Sequence, residues 1–308
     1  MNDTVPTYHP APRAPRFRMP PGACDSHVHV FGPTTRFPYA PDARFRPADA
    51  PKELLFALHD AIGIARCVIV QSGCHGFDNS VVADAIAARP GRYKGVALCP
   101  VDVDDNTLAR LADQDFCGVR FNYMAHLAGG TPIDAVAGLA RRLQRFNMHL
   151  QIHLDSKLMA SMAPALAAMP VPVVIDHMAR VEVGSEHAGR AFDALLRLLE
   201  QPHLWVKVSG LERASRIDAP WTDALPYAQA LLAQHPSKVV WGTDWPHPNF
   251  RAAPPDDGDI VDMIPMFAST AQQQQALLVD NPARLYGFND RTTGVTGCPS
   301  VWRTRLPS

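Results

Sequence analysis

Eight short apolar runs alternate along the chain with longer segments of helical period, and this alternation most constrains the fold. The predicted strands are 24–30, 67–72, 95–100, 118–121, 149–154, 171–176, 204–208 and 239–242. Strands that alternate with helices are typical of parallel βα units, and eight such units predict one α/β domain, a (β/α)8 TIM barrel. A doubly wound sheet is the alternative, although no glycine-rich dinucleotide-binding turn follows the first predicted strand.

The segments between the strands carry helix signals. After Pro51, which suits a first helical turn, Leu55, Leu58 and Ile62 recur on one face. The other predicted helices follow Asp78 up to Arg89, run from Thr131 to near Asn147, and cover 156–168, 189–201, 222–235 and 268–285. We find no internal repeat and no linker, and we expect a mobile N-terminal arm at 1–20, one barrel domain at 21–288 and a C-terminal tail at 289–308.

The composition excludes several classes of protein. With 308 residues, 47% of them hydrophobic, and a net charge of −1, the chain resembles neither a disordered nor a fibrous protein. The charge balance gives no reason to expect nucleic acid, and the apolar runs are too short to span a bilayer. Prolines near the N-terminus occupy the place where a signal peptide needs an apolar core, and the six scattered cysteines suggest reduced, buried thiols. We therefore expect a cytoplasmic protein.

Candidate site residues cluster at the carboxyl ends of the predicted strands, where the active site of a barrel lies. They are His27, His29, Gly73, Cys74, His75, Arg120, Asn122, His153, Asp176, His177, Lys207, Ser209, Arg213, Asp244, His247 and Asn249. Taken singly, these residues have structural explanations: Asp176 can cap a helix, Arg120 can form an ion pair, and Asp244 can belong to a turn. Their joint position at one end of the strands favours an active site.

The pair of histidines at the end of the first strand is the sharpest of these signals. Because strand side chains alternate, His27 and His29 point to one side and Val28 to the other. Two imidazoles close together form half of a divalent metal site, and Asp25 and Ser26 could orient the rings. Direct contact of both imidazoles with a substrate is the alternative.

Several longer stretches carry a family resemblance. They are "GACDSHVHVFGP", "VQSGCHGFDN", "GVRFN", "VVIDHMAR", "VKVSGLER", "WGTDWPHPN" and "LLVDNPARLYGF", which span roughly residues 20 to 288. With them the chain resembles the amidohydrolase superfamily, in its branch of 2-pyrone-4,6-dicarboxylate hydrolases and related lactonases. The resemblance implies a barrel that hydrolyses a small ring ester or amide, with Asp244 as general base toward water and His177 beside the water or substrate.

The resemblance also implies how a substrate is recognised. It places Arg120 and Arg213 in binding acidic groups, which suits the bidentate geometry of a guanidinium. The other implied substrate-binding positions are His126, Asn249, Gly73 and His75. His126 stands where the pyrone hydrolases carry an arginine, so the recognition set has shifted.

A second departure concerns the metal. His153 stands where the pyrone hydrolases, which are thought to work without a metal, carry a tyrosine. Metal-dependent amidohydrolases with one ion take their ligands from the positions of His27, His29, His153 and Asp244. The resemblance therefore implies one divalent ion, zinc, and the missing lysine at the end of strand four argues against a second ion.

These observations support three hypotheses of function. The first is a hydrolase that opens a carboxylated or sulfonated lactone from bacterial aromatic degradation, such as 2-pyrone-4,6-dicarboxylate or 4-sulfomuconolactone. Its partner is then a small anionic lactone, with the chain a monomer or a homo-oligomer. The alternatives are a metal-dependent, non-oxidative decarboxylase of an aromatic acid and a non-catalytic barrel that binds an acidic ligand.

Overall fold

The computed structural model of the protein describes residues 7–124, 130–250 and 253–288. Eight strands form one parallel sheet in sequential order. The strands are β1 (Cys24–Val28), β2 (Arg66–Val70), β3 (Tyr93–Ala97), β4 (Phe116–Tyr123), β5 (His149–Leu154), β6 (Val173–Ile175), β7 (Leu204–Val208) and β8 (Val239–Trp241). The predicted barrel is confirmed.

The sheet closes between its first and last strands. Backbone N–H groups of Asp244 and His29 donate to the carbonyls of His27 and Trp245 over 2.9 and 2.7 Å. The side chain of Asp25 adds to the seam, because its Oδ2 accepts from Thr243 Oγ1 at 2.6 Å. Its Oδ1 accepts from the backbone N–H of His27. Asp25 therefore joins β1 to the end of β8. The sequence had suggested that Asp25 orients the imidazole rings, but its hydrogen bonds go to the backbone N–H of His27 and to Thr243.

Helices cover the outside of the barrel. They are α1 (Lys52–Ile62), α2 (Ser80–Ala88), α3 (Asp105–Asp113), α4 (Ile133–Leu143), α5 (Ser156–Ala167), α6 (Ala188–Leu198), α7 (Leu211–Ala214), α8 (Leu225–Gln234), α9 (Asp257–Asp262), α10 (Ile264–Phe267), α11 (Ala271–Gln275) and α12 (Asn281–Tyr286). Helix α3 was not predicted from the sequence, although Asp104 caps it and Leu108 and Leu111 form its buried face. Its single turn of apolar spacing was too short to stand out.

The interior of the barrel is divided into an apolar layer and a polar one. Val174 and Trp205 belong to a compact apolar cluster that the C-terminal residues Tyr286 and Phe288 also join. Two residues further along the same strands stand Asp176 and Lys207, both fully buried. Since side chains two apart share a face of a strand, polar groups lie directly above the apolar layer, toward the carboxyl ends.

The described part of the N-terminal segment contacts α9. Arg13 donates from Nε to Asp259 and from a terminal nitrogen to Asp262, while the backbone N–H groups of Arg16 and Phe17 donate to Asp262. The arm at 1–20 and the other domain boundaries stay predictions. The tail at 289–308 lies outside the described residues.

Two further properties of the described residues bear on the predictions made from the sequence. Five cysteines are buried and carry free thiols, at positions 24, 67, 74, 99 and 117. Among the residues that the structure describes, no helix has the length and apolar character needed to cross a membrane.

Candidate active site

Three imidazoles surround one carboxylate oxygen at the carboxyl end of the barrel. Asp244 Oδ1 lies 3.7 Å from His27 Nε2, 3.6 Å from His29 Nε2 and 3.9 Å from His177 Nε2. All four side chains are nearly excluded from solvent. The structure thus brings the end of β1, the turn after β6 and the loop after β8 together around Asp244, at distances that leave room for a small ligand between the groups.

The far nitrogen of each imidazole is held by the protein. His29 Nδ1 is 2.7 Å from the carbonyl oxygen of Val70, and His177 Nδ1 is 2.8 Å from Ser209 Oγ. Burial lowers the pKa of His27 to about 3, with the Lys207 charge acting in the same direction. Burial also holds the pKa of His177 well below its usual value. Both rings are therefore uncharged near neutral pH.

His153 stands at the rim of this group. Its Nδ1 lies 3.2 Å from Asn122 Oδ1, and its ring centroid is 5.4 Å from that of His177. Burial, together with the charge of Arg120, holds its pKa well below the usual value. Its Nε2 is buried and has no hydrogen-bond partner among the described residues, which leaves this nitrogen available to a ligand.

Three of these side chains lie close enough to hold one metal ion. His27, His177 and Asp244 each offer a ligand atom, and the three atoms lie within 4.8 Å of one another. His27 Nε2 is buried without a hydrogen-bond partner in the described structure, as expected of a group that meets a ligand. The predicted ligands His29 and His153 are not in this group of three, and their part in metal binding stays a prediction.

Arg213, predicted to bind substrate, forms an ion pair with Asp244. Its Nε donates to Oδ2 of the carboxylate at 2.8 Å, and a terminal nitrogen donates to the carbonyl of Pro248. Burial opposes the charge on Asp244, but Arg213 and His177 outweigh it and hold the pKa of the carboxyl well below its usual value. The carboxylate is therefore ionised at neutral pH, as a general base must be.

Arg120 is also paired with a carboxylate. It donates from Nε to Asp176 Oδ2 at 2.8 Å, and Gln151 donates to the same oxygen at 3.0 Å. The side chain of Asp176 forms no capping hydrogen bond. The ion pair considered for Arg120 is therefore present, whereas the helix cap considered for Asp176 is not; Arg120 as a substrate contact stays a prediction.

Two further side chains complete this polar layer: Lys207, which was a candidate from the sequence but had no assigned role, and Gln151, which was not predicted. Lys207 is fully buried and donates to Gln151 Oε1 at 2.8 Å, and its Nζ lies 3.2 Å from His27 Nδ1. Burial lowers the pKa of Lys207, and the charge of Asp176 counteracts it. The sequence does carry a signal for both residues. Lys207 interrupts the apolar run "LWVKV", and Gln151 is one of the polar residues that alternate with apolar ones in "HLQIHL".

Arg180 was not predicted from the sequence as a site residue. It ends a turn in which four consecutive residues, His177–Arg180, have φ values of 50°, 51°, 57° and 54°. Left-handed backbone is costly for residues other than glycine and tends to be retained at functional sites. Arg180 lines a narrow cleft together with His177 and Arg213, where burial and the charge of Arg213 lower the pKa of its guanidinium.

The remaining predicted recognition residues differ in burial. His75 is buried, with its Nδ1 3.2 Å from the carbonyl of Pro38, and its Nε2 has no partner among residues that the structure describes. Gly73 and Asn249 are exposed. His126 falls outside the described residues. Substrate contacts at these positions stay predictions.

Comparison with known proteins confirms the family resemblance. The Amidohydrolase family profile matches residues 24–288. A 2-pyrone-4,6-dicarboxylate hydrolase of Comamonas testosteroni is 40% identical over 289 residues, which cover 91% of this chain and 94% of that protein. A 4-sulfomuconolactone hydrolase of Hydrogenophaga intermedia is 36% identical over 275 residues, 88% of this chain and 91% of that one. The crystal structure of a putative 2-pyrone-4,6-dicarboxylic acid hydrolase from Pseudomonas putida has a TM-score of 0.78 at 29% identity, covering 88% and 99%. The chain belongs to the amidohydrolase family.

Proposed function

We propose that the protein hydrolyses a small anionic lactone, carboxylated or sulfonated, by attack of water on the ring carbonyl. The observation that carries this proposal is an ionised carboxylate, Asp244, enclosed by three imidazoles at 3.6 to 3.9 Å. Lactone opening needs a base for the water and donors for the oxyanion, and this group supplies both. The two relatives at 40% and 36% identity, named for a pyrone dicarboxylate and a sulfomuconolactone, support the substrate class.

The proposed step conserves protons within the site. Asp244 takes a proton from water while the water oxygen bonds to the lactone carbonyl carbon, and imidazole N–H groups stabilise the oxyanion. The bond between this carbon and the ring oxygen then breaks, and Asp244 returns the proton to the departing oxygen. The product is the ring-opened acid.

Because Arg213 pairs with Asp244, binding of the substrate anion to Arg213 also changes the pKa of Asp244. A guanidinium shared with an incoming carboxylate or sulfonate stabilises the Asp244 charge less, which raises the proton affinity of the base. We propose that the substrate anion draws on Arg213 in this way, so that the base strengthens when substrate is present.

A divalent ion, for which we propose zinc, would be held by His27, His177 and Asp244. When bound, such an ion polarises a carbonyl and lowers the pKa of a bound water. His29 and His153 adjoin these ligands and remain the other candidates. We also propose a cytoplasmic location, which the five buried free cysteines support.

Replacement of the base tests this function. Asp244→Asn should reduce kcat on carboxylated or sulfonated lactones by about 10³-fold or more, because the amide does not accept the proton of water. Turnover of a panel of pyrone and muconolactone acids should be followed by the ultraviolet absorbance of the ring. Asp193→Asn, an exposed change of the same chemistry on α6, is the control and should retain full activity.

Two results would contradict the proposal. Near-normal lactone turnover by folded Asp244→Asn would remove the base from the mechanism. Release of CO2 from an aromatic acid, with no ring opening of any lactone in the panel, would instead assign the site to decarboxylation.

A further inference from the structure

A buried ammonium group occupies the far side of His27. Lys207 Nζ lies 3.2 Å from His27 Nδ1, 2.8 Å from Gln151 Oε1 and 3.4 Å from Asp176 Oδ1. Asp176 Oδ1 in turn lies 3.2 Å from the same imidazole nitrogen. All four side chains are fully buried, so no bulk water can substitute for a missing partner. His27 Nδ1 therefore has two competing neighbours, one that only donates and one that only accepts.

Counting donors and acceptors decides between these neighbours. The ammonium group of Lys207 has three hydrogens, and the three acceptors around it are Gln151 Oε1, Asp176 Oδ1 and His27 Nδ1. All three hydrogens are used only if His27 Nδ1 carries a lone pair. If Nδ1 carried the proton, an ammonium hydrogen and an N–H group would face each other in a buried site, leaving a costly unsatisfied donor.

Asp176 does not need the proton of His27. Its Oδ2 already accepts from Arg120 and Gln151, at 2.8 and 3.0 Å. Its Oδ1 has no hydrogen-bond partner in the described structure, but the ammonium group of Lys207, 3.4 Å away, neutralises its charge. The arrangement that uses all three hydrogens of Lys207 thus leaves the His27 proton on Nε2, which faces Asp244 at 3.7 Å and has no hydrogen-bond partner among the described residues.

We propose that Lys207 is a positioning residue that holds His27 in the Nε2–H form. The Nε2–H group then points into the site as a fixed hydrogen-bond donor, whose role on the substrate oxyanion rests on the proposed function. In this form His27 Nε2 has no lone pair to offer a metal ion, because only the unprotonated nitrogen ligates. Lys207 therefore biases the site toward metal-independent hydrolysis and weakens the affinity for zinc.

The neighbouring histidine is arranged in the opposite way. His29 Nδ1 faces the carbonyl oxygen of Val70 at 2.7 Å, and a carbonyl only accepts. The proton of an uncharged His29 ring therefore lies on Nδ1, and Nε2 carries the lone pair. The two histidines thus present one donor and one acceptor to the same ligand space, which suits a carbonyl oxygen at His27 and a water at His29.

The test is the position of the proton in the full-length, metal-stripped protein. In a long-range ¹H–¹⁵N correlation spectrum of ¹⁵N-histidine protein, His27 should show the Nε2–H pattern and His29 the Nδ1–H pattern, each assigned by its own Gln variant. In Lys207→Met, His27 should change to the Nδ1–H form that donates to Asp176, while His29 should keep its Nδ1–H pattern. Zinc titration of this variant should show an affinity at least about tenfold higher than that of the wild-type chain.

A matched variant separates this tautomer effect from a simple loss of positive charge. Arg120→Gln removes a buried cation from the same carboxylate, Asp176, but leaves Lys207 against His27. It should keep the Nε2–H form and should gain much less zinc affinity than Lys207→Met. Lys157→Met, at an exposed position, should change neither measurement.

An Nδ1–H pattern for His27 in the wild-type chain would overturn the proposal without any variant. So would an unchanged tautomer in folded Lys207→Met, or equal gains in zinc affinity for Lys207→Met and Arg120→Gln. These results concern the proton position and the metal. They are therefore distinct from a failure of the lactonase proposal, which Asp244→Asn decides.

Discussion

Arg213 donates from Nε to Asp244 Oδ2 over 2.8 Å, so a candidate substrate-binding cation and the proposed base form one ion pair. The guanidinium also donates to the carbonyl of Pro248 and lies 5.3 Å from the ring centroid of Phe250. Although burial disfavours its charge, Asp244 thereby keeps a pKa well below the usual value. The pair links substrate recognition to the strength of the base.

Removal of this guanidinium should shift the pH dependence of catalysis. In Arg213→Gln the pKa of Asp244 should rise, because burial is then less opposed, and the acid limb of kcat/KM should move to higher pH. A base is active when deprotonated, so activity is lost as the pH falls through this pKa. A pH profile of lactone hydrolysis measures the shift. Arg216→Gln, at an exposed position, should leave the profile in place; an unmoved acid limb in Arg213→Gln would refute the coupling.

Arg180 should contribute to recognition of the substrate anion. It lines a narrow cleft with His177 and Arg213, and burial together with the Arg213 charge lowers the pKa of its guanidinium, as expected of a cation that a substrate anion would stabilise. Arg180→Gln should raise KM for a carboxylated lactone about tenfold and leave that of an uncharged lactone unchanged, since a charge-assisted hydrogen bond is lost. Steady-state kinetics on the two substrates, with the exposed Arg190→Gln as control, give the comparison. Equal effects on both lactones would indicate a structural role.

Ser209 should orient His177. The serine hydroxyl lies 2.8 Å from His177 Nδ1 and is buried. Ser209→Ala should lower kcat about tenfold with little change in KM, because the ring loses the contact that fixes its orientation. Ser161→Ala, on α5, is the control. If the activity falls only in proportion to a loss of folded protein, measured by thermal unfolding, the positioning role is wrong.

Gly242 should be required for closure of the barrel. A Cβ at this position would lie 2.6 Å from the backbone nitrogen of His27 and 2.8 Å from its Cβ. Gly242→Ala should therefore reduce the free energy of unfolding by about 1–3 kcal/mol, measured by denaturant titration. Gly138→Ala is the matched comparison, because a Cβ on this helical glycine would meet no atom outside its own helix within 4 Å, and alanine should stabilise α4. Similar effects of both substitutions would count against the close approach.

His247 and Asp257 should make the stability depend on pH. Their side chains are fully buried, and His247 Nε2 lies 3.2 Å from Asp257 Oδ1. Burial opposes the imidazolium, but Asp257 outweighs it and raises the pKa of His247. The stabilisation is therefore complete below the unfolded pKa of about 6.5 and is lost as the pH rises through the higher, folded pKa.

The comparison that checks this is between the wild-type chain and His247→Gln. Glutamine retains a donor but does not titrate. The difference in the free energy of unfolding between the two should be largest at about pH 6 and should shrink toward about pH 9. A difference that stays constant over this range would show that the imidazole is uncharged in the folded protein.

The barrel and the location of its site could be predicted from the sequence because both depend on local patterns. Apolar runs separated by helical segments specify parallel βα units, and residues at the ends of such strands converge by geometry. His27, His29, His177 and Asp244 were found in this way. The short helix α3 was missed because one turn of apolar spacing carries little signal.

What only the tertiary structure decided is which polar groups face each other. Arg213 and Asp244 are 31 residues apart, Arg120 and Asp176 are 56, and Lys207 and His27 are 180. No local spacing encodes such pairs, since they form only when eight strands close and bring distant side chains into one layer. The sequence determines that imidazoles stand at the ends of these strands. Whether they donate a proton or bind a metal depends on the partners that the closed barrel brings to them, as Lys207 and His27 show.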